Sequence, residues 1–132
     1  MEYGQIHHVE YYVNDLASSN EFWSWFSPIL GYKEFQKWEE GISYLHNNGT
    51  YIVFVQVLDK YLSHENNRQG NGLNHIAFMG GTDDQLNELV IQLEKRNIKI
   101  LKRLESYLCF EDPNKFAIEI YAKEVVPMDN FS

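Results

Sequence analysis

The hydrophobic and polar positions of this chain run through one succession of periods twice. Residues 5–13 alternate, with Val9, Tyr11 and Val13 of one parity and His8, Glu10 and Tyr12 of the other, which predicts a strand with one apolar face. Asp15 stands where a helix cap is expected, ahead of Phe22, Trp23, Phe26, Ile29 and Leu30 at helical spacing, and Gly31 marks a stop. Pro28 falls in the last turn of that helix. Short strands are expected over 32–38 and 42–45, then a turn at His46-Asn47-Asn48-Gly49 and an apolar strand over 51–58. After a polar stretch the pattern restarts with a strand over 73–79. Thr82-Asp83-Asp84-Gln85 reads as a capping box for a helix carrying Leu86, Leu89, Val90 and Leu93, with Asn97 as its stop. Strands near 98–104, 107–110 and 116–122 complete the series, with Asp112-Pro113-Asn114 as the turn before the last.

An internal repeat follows from this order. Adding 67 to first-half positions carries His8 onto His75, Val9 onto Ile76, Tyr11 onto Phe78, Phe22 onto Leu89 and Phe26 onto Leu93. Beyond the helix an offset of 63 carries Tyr44 onto Tyr107, Val55 onto Ile118 and Gln56 onto Glu119. Each copy reads βαβββ. Residues 1–132 are expected to form one domain, with module one over 5–58, a connector over 59–71, module two over 72–122 and a tail over 123–132. A half-chain of this size buries only about 60% of its unfolded surface, so the two copies are expected to share a core about an approximate two-fold axis.

Composition narrows the partners. A net charge of −8 with no Lys/Arg cluster argues against a nucleic-acid backbone as ligand, because that affinity comes from basic residues releasing counterions. No apolar run approaches the roughly 20 residues needed to span a bilayer. The first residues lack the basic-then-apolar plan of a signal peptide, so a cytoplasmic protein is expected. The single Cys109 lies in an apolar run and reads as a small buried hydrophobe. His46 in its turn and His64 in the connector read as solvated.

The candidate chemistry is a metal site. His7 and His8 are adjacent, so alternation places them on opposite faces, and the repeat selects His8. In the last strand Phe116, Ile118 and Ile120 take the helix-facing parity, leaving Ala117, Glu119 and Tyr121 on the other. By the same count Val53, Val55 and Val57 leave Phe54 and Gln56 on the chemical face, and Ile76 and Phe78 leave His75, Ala77 and Met79. His8, Gln56, His75 and Glu119 are therefore the candidate ligands. Two imidazoles, a carboxylate and an amide oxygen suit Zn, Ni, Mn, Co or Fe with an open coordination position for Lewis-acid chemistry. Glu119 could double as a base. Glu10, Tyr12, Phe54 and Tyr121 are candidate substrate contacts, and Tyr44 and Tyr107 could also line a pocket. Structural alternatives exist for each: a lone strand histidine or a buried glutamine is often simply hydrogen-bonded.

Three stretches resemble the vicinal oxygen chelate superfamily, which includes glyoxalase I, fosfomycin-resistance thiol transferases, extradiol dioxygenases and bleomycin-resistance proteins. They are His8-Val9-Glu10-Tyr11-Tyr12-Val13-Asn14-Asp15-Leu16, with Phe22-Trp23 and Leu30-Gly31-Tyr32 after it; Gly72-Leu73-Asn74-His75-Ile76-Ala77-Phe78; and Asp112-Pro113-Asn114-Lys115-Phe116-Ala117-Ile118-Glu119-Ile120. The resemblance implies an α+β fold in which paired βαβββ modules form an incomplete barrel, a homodimer, and a divalent metal at positions matching His8, Gln56, His75 and Glu119. Glyoxalase I enzymes commonly carry Glu where Gln56 stands. The resemblance implies a lyase or isomerase chelating a small oxygenated substrate. The alternatives are a metal-free protein that sequesters a small aromatic or cationic drug, and an Fe(II) extradiol dioxygenase.

Overall fold

The structure, a computed structural model, describes residues 3–62 and 65–122; His64 and the 123–132 tail lie outside the described residues. The chain divides into two compact units, Met1–Glu65 and Asn66–Ser132, with the boundary inside the connector. The first unit contains β1 (His8–Val13), α1 (Leu16–Phe26), a 3-10 turn (Ser27–Leu30), β2 (Tyr32–Trp38), β3 (Gly41–His46) and β4 (Tyr51–Gln56), followed by a 3-10 turn at Asp59–Tyr61. The second contains β5 (His75–Met79), α2 (Asp83–Lys95), β6 (Ile100–Leu104), β7 (Tyr107–Glu111) and β8 (Ala117–Tyr121). Each is a βαβββ unit with an open four-stranded sheet, in the orders β1-β4-β3-β2 and β5-β8-β7-β6. The pairs β1/β4 and β5/β8 are parallel and the others antiparallel. This is the α+β glyoxalase-like fold.

Both helices start as their sequences dictate. Asp15 accepts from Ser18 N at 3.2 Å, and Thr82 with Gln85 forms the reciprocal capping box. Helix α1 ends earlier than its apolar spacing suggests. Pro28 cannot donate to the α-ladder, the chain tightens into the 3-10 turn, and Gly31 closes it at φ 88°. The change of pitch turns Ile29 outward, to 54% exposure, so it is not a core residue as the spacing predicted. In α2 the stop is confirmed, with Asn97 at φ 58° just past the cap.

The registers correct the repeat. His8, Glu10 and Tyr12 stand opposite Tyr51, Val53 and Val55, while His75, Ala77 and Met79 stand opposite Ala117, Glu119 and Tyr121. An offset of 67 for β1 and 66 for β4 maps one ladder onto the other. The same offset of 66 carries the pairs Ser43–Val53 and Ile42–Phe54 onto Cys109–Glu119 and Leu108–Ile120. The offset of 63 therefore fails, and Val53, not Gln56, is the counterpart of Glu119.

This shift reverses the faces assigned to β4. Phe54 is fully buried, its ring 4.9 Å from Trp23 of α1 and 4.7 Å from Tyr11, so Phe54 and Gln56 share the helix-facing parity. Residue 54 is thus a core residue and not a substrate contact. In the second unit the expected parity holds: Ile118 and Ile120 are fully buried, whereas Glu119 and Tyr121 are half-buried. Gly80 is required by packing there, since a Cβ would sit 2.4 Å from the Ile120 side chain.

Candidate functional site

Parallel pairing of β5 with β8 places His75 diagonally across from Glu119, because Ala77 and not His75 is the direct partner of Glu119. Ala77 and Ala117 present only methyl groups, and the two functional side chains meet across them. His75 Nε2 lies 3.3 Å from Glu119 Oε1, with the imidazole 40% exposed and the carboxylate 15%. The other oxygen, Oε2, accepts from the Tyr107 hydroxyl at 2.9 Å. Tyr121 also hydrogen-bonds the carboxylate and packs edge-on against Tyr107 at 5.1 Å. Cys109 stands directly opposite Glu119 on the neighbouring strand.

The protonation pattern follows from a chain of contacts. Asn74 Nδ2 donates to the Arg68 carbonyl at 2.7 Å, which turns Asn74 Oδ1 toward His75 Nδ1 at 2.8 Å. Oδ1 can only accept, so the Nδ1 proton of His75 is held there. The Nε2 atom then faces a carboxylate oxygen, an approach that a proton or a cation shared between the two atoms would favour. Ligands at about 2.0–2.1 Å from a tetrahedral metal lie about 3.3–3.4 Å apart, so the pair fits two corners of one coordination sphere. The acceptor behind Nδ1 is the arrangement that orients metal-bound histidines. Burial pushes the Tyr107 and Tyr121 phenols above their ordinary range, and the adjacent Glu119 pushes the same way, so both remain hydrogen-bond donors to the carboxylate. Burial also raises the Cys109 thiol.

In the first unit His8 is exposed and stacks on Tyr51, with centroids 4.6 Å apart and planes 3° from parallel. His7 precedes the first residue of β1, so strand alternation does not separate the two histidines; their Nδ1 atoms are 2.8 Å apart. Glu10 and Tyr12 are exposed on the same face as His8. Gln56 is occupied elsewhere. Its Nε2 donates to the Asn14 carbonyl at 2.7 Å and its Oε1 accepts from Leu16 N at 2.9 Å, so the amide fastens the start of α1 to β4. That is the structural alternative for this residue, with both ends of the amide tied to the start of α1. His46 is half-buried, accepting from Asn48 N at 3.1 Å and packing on Tyr32. Among the described residues no group of three or more His, Cys, Asp or Glu side chains is gathered. Sequence reasoning missed Asn74 and His7 as partners of the histidines. The signal was present in the repeat, which aligns these two polar residues.

The fold is glyoxalase-like, and comparison with known proteins agrees. The model of the Glyoxalase/Bleomycin resistance protein/Dioxygenase superfamily matches residues 5–120, and the chain belongs to that superfamily. It is 37% identical over 126 residues to the uncharacterized protein YqjT of Bacillus subtilis (strain 168), covering 89% of this chain and 98% of that protein. A solved glyoxalase-family structure from Bacillus halodurans is 36% identical, with a TM-score of 0.85 over 91% of this chain and 96% of its own. The fosfomycin resistance protein FosX from Listeria monocytogenes, solved with Mn(II) and sulfate, shares the fold at 16% identity, with a TM-score of 0.69 over 98% of each chain.

Proposed function

We propose that this protein is a divalent-metal enzyme of the lyase or isomerase type that takes a small substrate with vicinal oxygens. His75 and Glu119 hold the metal, and His8, the matching residue of module one, is the third ligand. The observation that carries the reading is the approach of His75 Nε2 to Glu119 Oε1 at 3.3 Å while Nδ1 is committed to Asn74. Manganese in the related FosX supports a divalent ion, among which Zn, Ni, Mn, Co and Fe suit this donor set. When bound, the metal supplies Lewis acidity to the substrate oxygens. Glu119 would also serve as the base that accepts and returns a substrate proton, with its Oε2 held by the Tyr107 hydroxyl. Glu10, Tyr12 and Tyr121 contact the substrate. The working form is a cytoplasmic homodimer.

The test is metal content on protein purified without chelating resin, with His75→Ala and Glu119→Ala alongside. Stoichiometric metal in the wild type, lost in both variants with unchanged circular dichroism, is expected. Metal retained by both variants overturns the assignment. Metal-replete protein is then assayed with thiol hemiacetals of 2-oxoaldehydes, with epoxides plus thiol, and with catechols under air, and turnover should vanish in Glu119→Ala. A second reading, a metal-free protein sequestering an aromatic cation, is favoured by Tyr12 at 52% exposure beside Glu10 and the His8–Tyr51 stack. Tight binding of such a cation without metal or turnover would replace the enzyme reading with this one.

A further inference from the structure

The two histidines proposed as ligands share a feature that the module repeat makes visible. The offset of 67 that carries His8 onto His75 also carries His7 onto Asn74. Asn74 Oδ1 lies 2.8 Å from Nδ1 of the histidine that follows it, and His7 Nδ1 lies 2.8 Å from Nδ1 of the histidine that follows it. In module two the roles are fixed, because Asn74 Nδ2 is committed to the Arg68 carbonyl and only its oxygen is left for His75. In module one two imidazole nitrogens meet, and one of them must carry the proton.

We propose that His7 is a positioning residue for His8, its Nδ1 accepting the Nδ1 proton of His8 so that the lone pair of His8 stands on Nε2. This rests on the metal reading above. His7 thereby does with a ring nitrogen what Asn74 does with an amide oxygen, and its own proton sits on Nε2. Tyr51 completes the arrangement: its ring, parallel to that of His8 within 3°, fixes the plane in which the Nδ1 contact is made. In module two the counterpart of Tyr51 is Ala117, and Glu119 approaches the imidazole instead. Partners of this kind hold the tautomer and orientation of a ligating histidine, and their loss typically costs about 10- to 100-fold in metal affinity.

Two readouts test this on the full chain. In metal-free protein with labelled histidine nitrogens, two-bond proton–nitrogen correlation should show His8 protonated on Nδ1, and His7→Ala should move that proton toward Nε2. In Co(II) titrations His7→Ala should weaken binding about 10- to 100-fold, while His7→Asn, which installs the module-two solution, should stay within about threefold of wild type. Wild-type His8 protonated on Nε2 overturns the proposal. So does a His7→Asn variant that falls as far as His7→Ala, or a His7→Ala variant that binds Co(II) as wild type does. A wild type that takes up no Co(II) refutes the metal reading alone, and the tautomer of His8 then still decides the role of His7.

Discussion

Module two carries a carboxylate opposite Ala77, whereas module one, on the same ladder, carries Val53 opposite Glu10. Around these positions the substitutions are matched. Ala117, beside His75, becomes Tyr51 stacked on His8, and Tyr107, which holds Glu119, becomes Gly41, over which the Trp38 ring lies so closely that a Cβ would sit 2.2 Å from it. The repeated scaffold thus carries one half with an anion held by a phenol and another half with aromatic rings. A copied backbone conserves its ladders because every register slip would turn the apolar set outward, but it leaves the second face free to diverge. The polar ties diverge as well: Gln56 reaches from β4 to the start of α1, and its counterpart by register, Ala122, has no such group.

The largest expected effect of breaking this comparison is at Phe54. If it belongs to the core of module one, Phe54→Ala should cost about 3–5 kcal/mol, read as a fall in the urea midpoint. A variant that kept wild-type stability while losing ligand affinity would return Phe54 to the substrate face. Next is Gln56. Gln56→Ala leaves Leu16 N and the Asn14 carbonyl without the amide, at about 1 kcal/mol each, so about 2 kcal/mol of destabilisation is expected with metal content unchanged. Gln56→Glu sharpens the point. It removes the donor to Asn14 and sets a carboxylate oxygen against that carbonyl, so it should lower stability without tightening metal binding; a gain in affinity would put residue 56 back among the ligands.

These two residues also show what the chain made legible. Both helices, their caps, and all eight strands followed from periodicity, since Phe22, Trp23 and Phe26 or Leu86, Leu89 and Leu93 recur on one helical face and are buried there. Glu119 was visible because it is the only acid in an apolar strand, with a definite parity set by Ile118 and Ile120. β4 offers no such phase. Tyr51-Ile52-Val53-Phe54-Val55-Gln56 is apolar on both faces, so only its polar last residue could be aligned, and matching Gln56 to Glu119 by polarity displaced the repeat by three positions. The ladder with β1 sets the phase, and that information lies 43 residues away, in the pairing of His8 with Tyr51. Asn74 and His7 went unread because an adjacent residue does not ordinarily share a face with its neighbour in a strand, whereas both lie just before their strands begin.

The smallest expected effect concerns how module two fastens its own helix. Asp83, at the first turn of α2, accepts from Ser106 N at 2.7 Å and from the Ser106 hydroxyl at 2.8 Å, and pairs with Arg103 at 3.1 Å. The Ser106 backbone bond, then its hydroxyl, then Arg103 hold the carboxyl below its ordinary range. A carboxyl whose folded value is depressed stabilises the fold above its unfolded pKa, and the contribution is lost as pH falls through the folded one. Asp83→Asn keeps an acceptor for Ser106 N but removes the charge. The variant should therefore melt below wild type near neutral pH, and the gap should close as the pH falls below the ordinary carboxyl range and through the depressed folded value. The site is solvent-screened, so the gap should also narrow with added salt. A difference in Tm that stayed constant with pH would mean that the hydrogen-bond geometry at Ser106, and not the charge of Asp83, ties the helix of module two to its sheet.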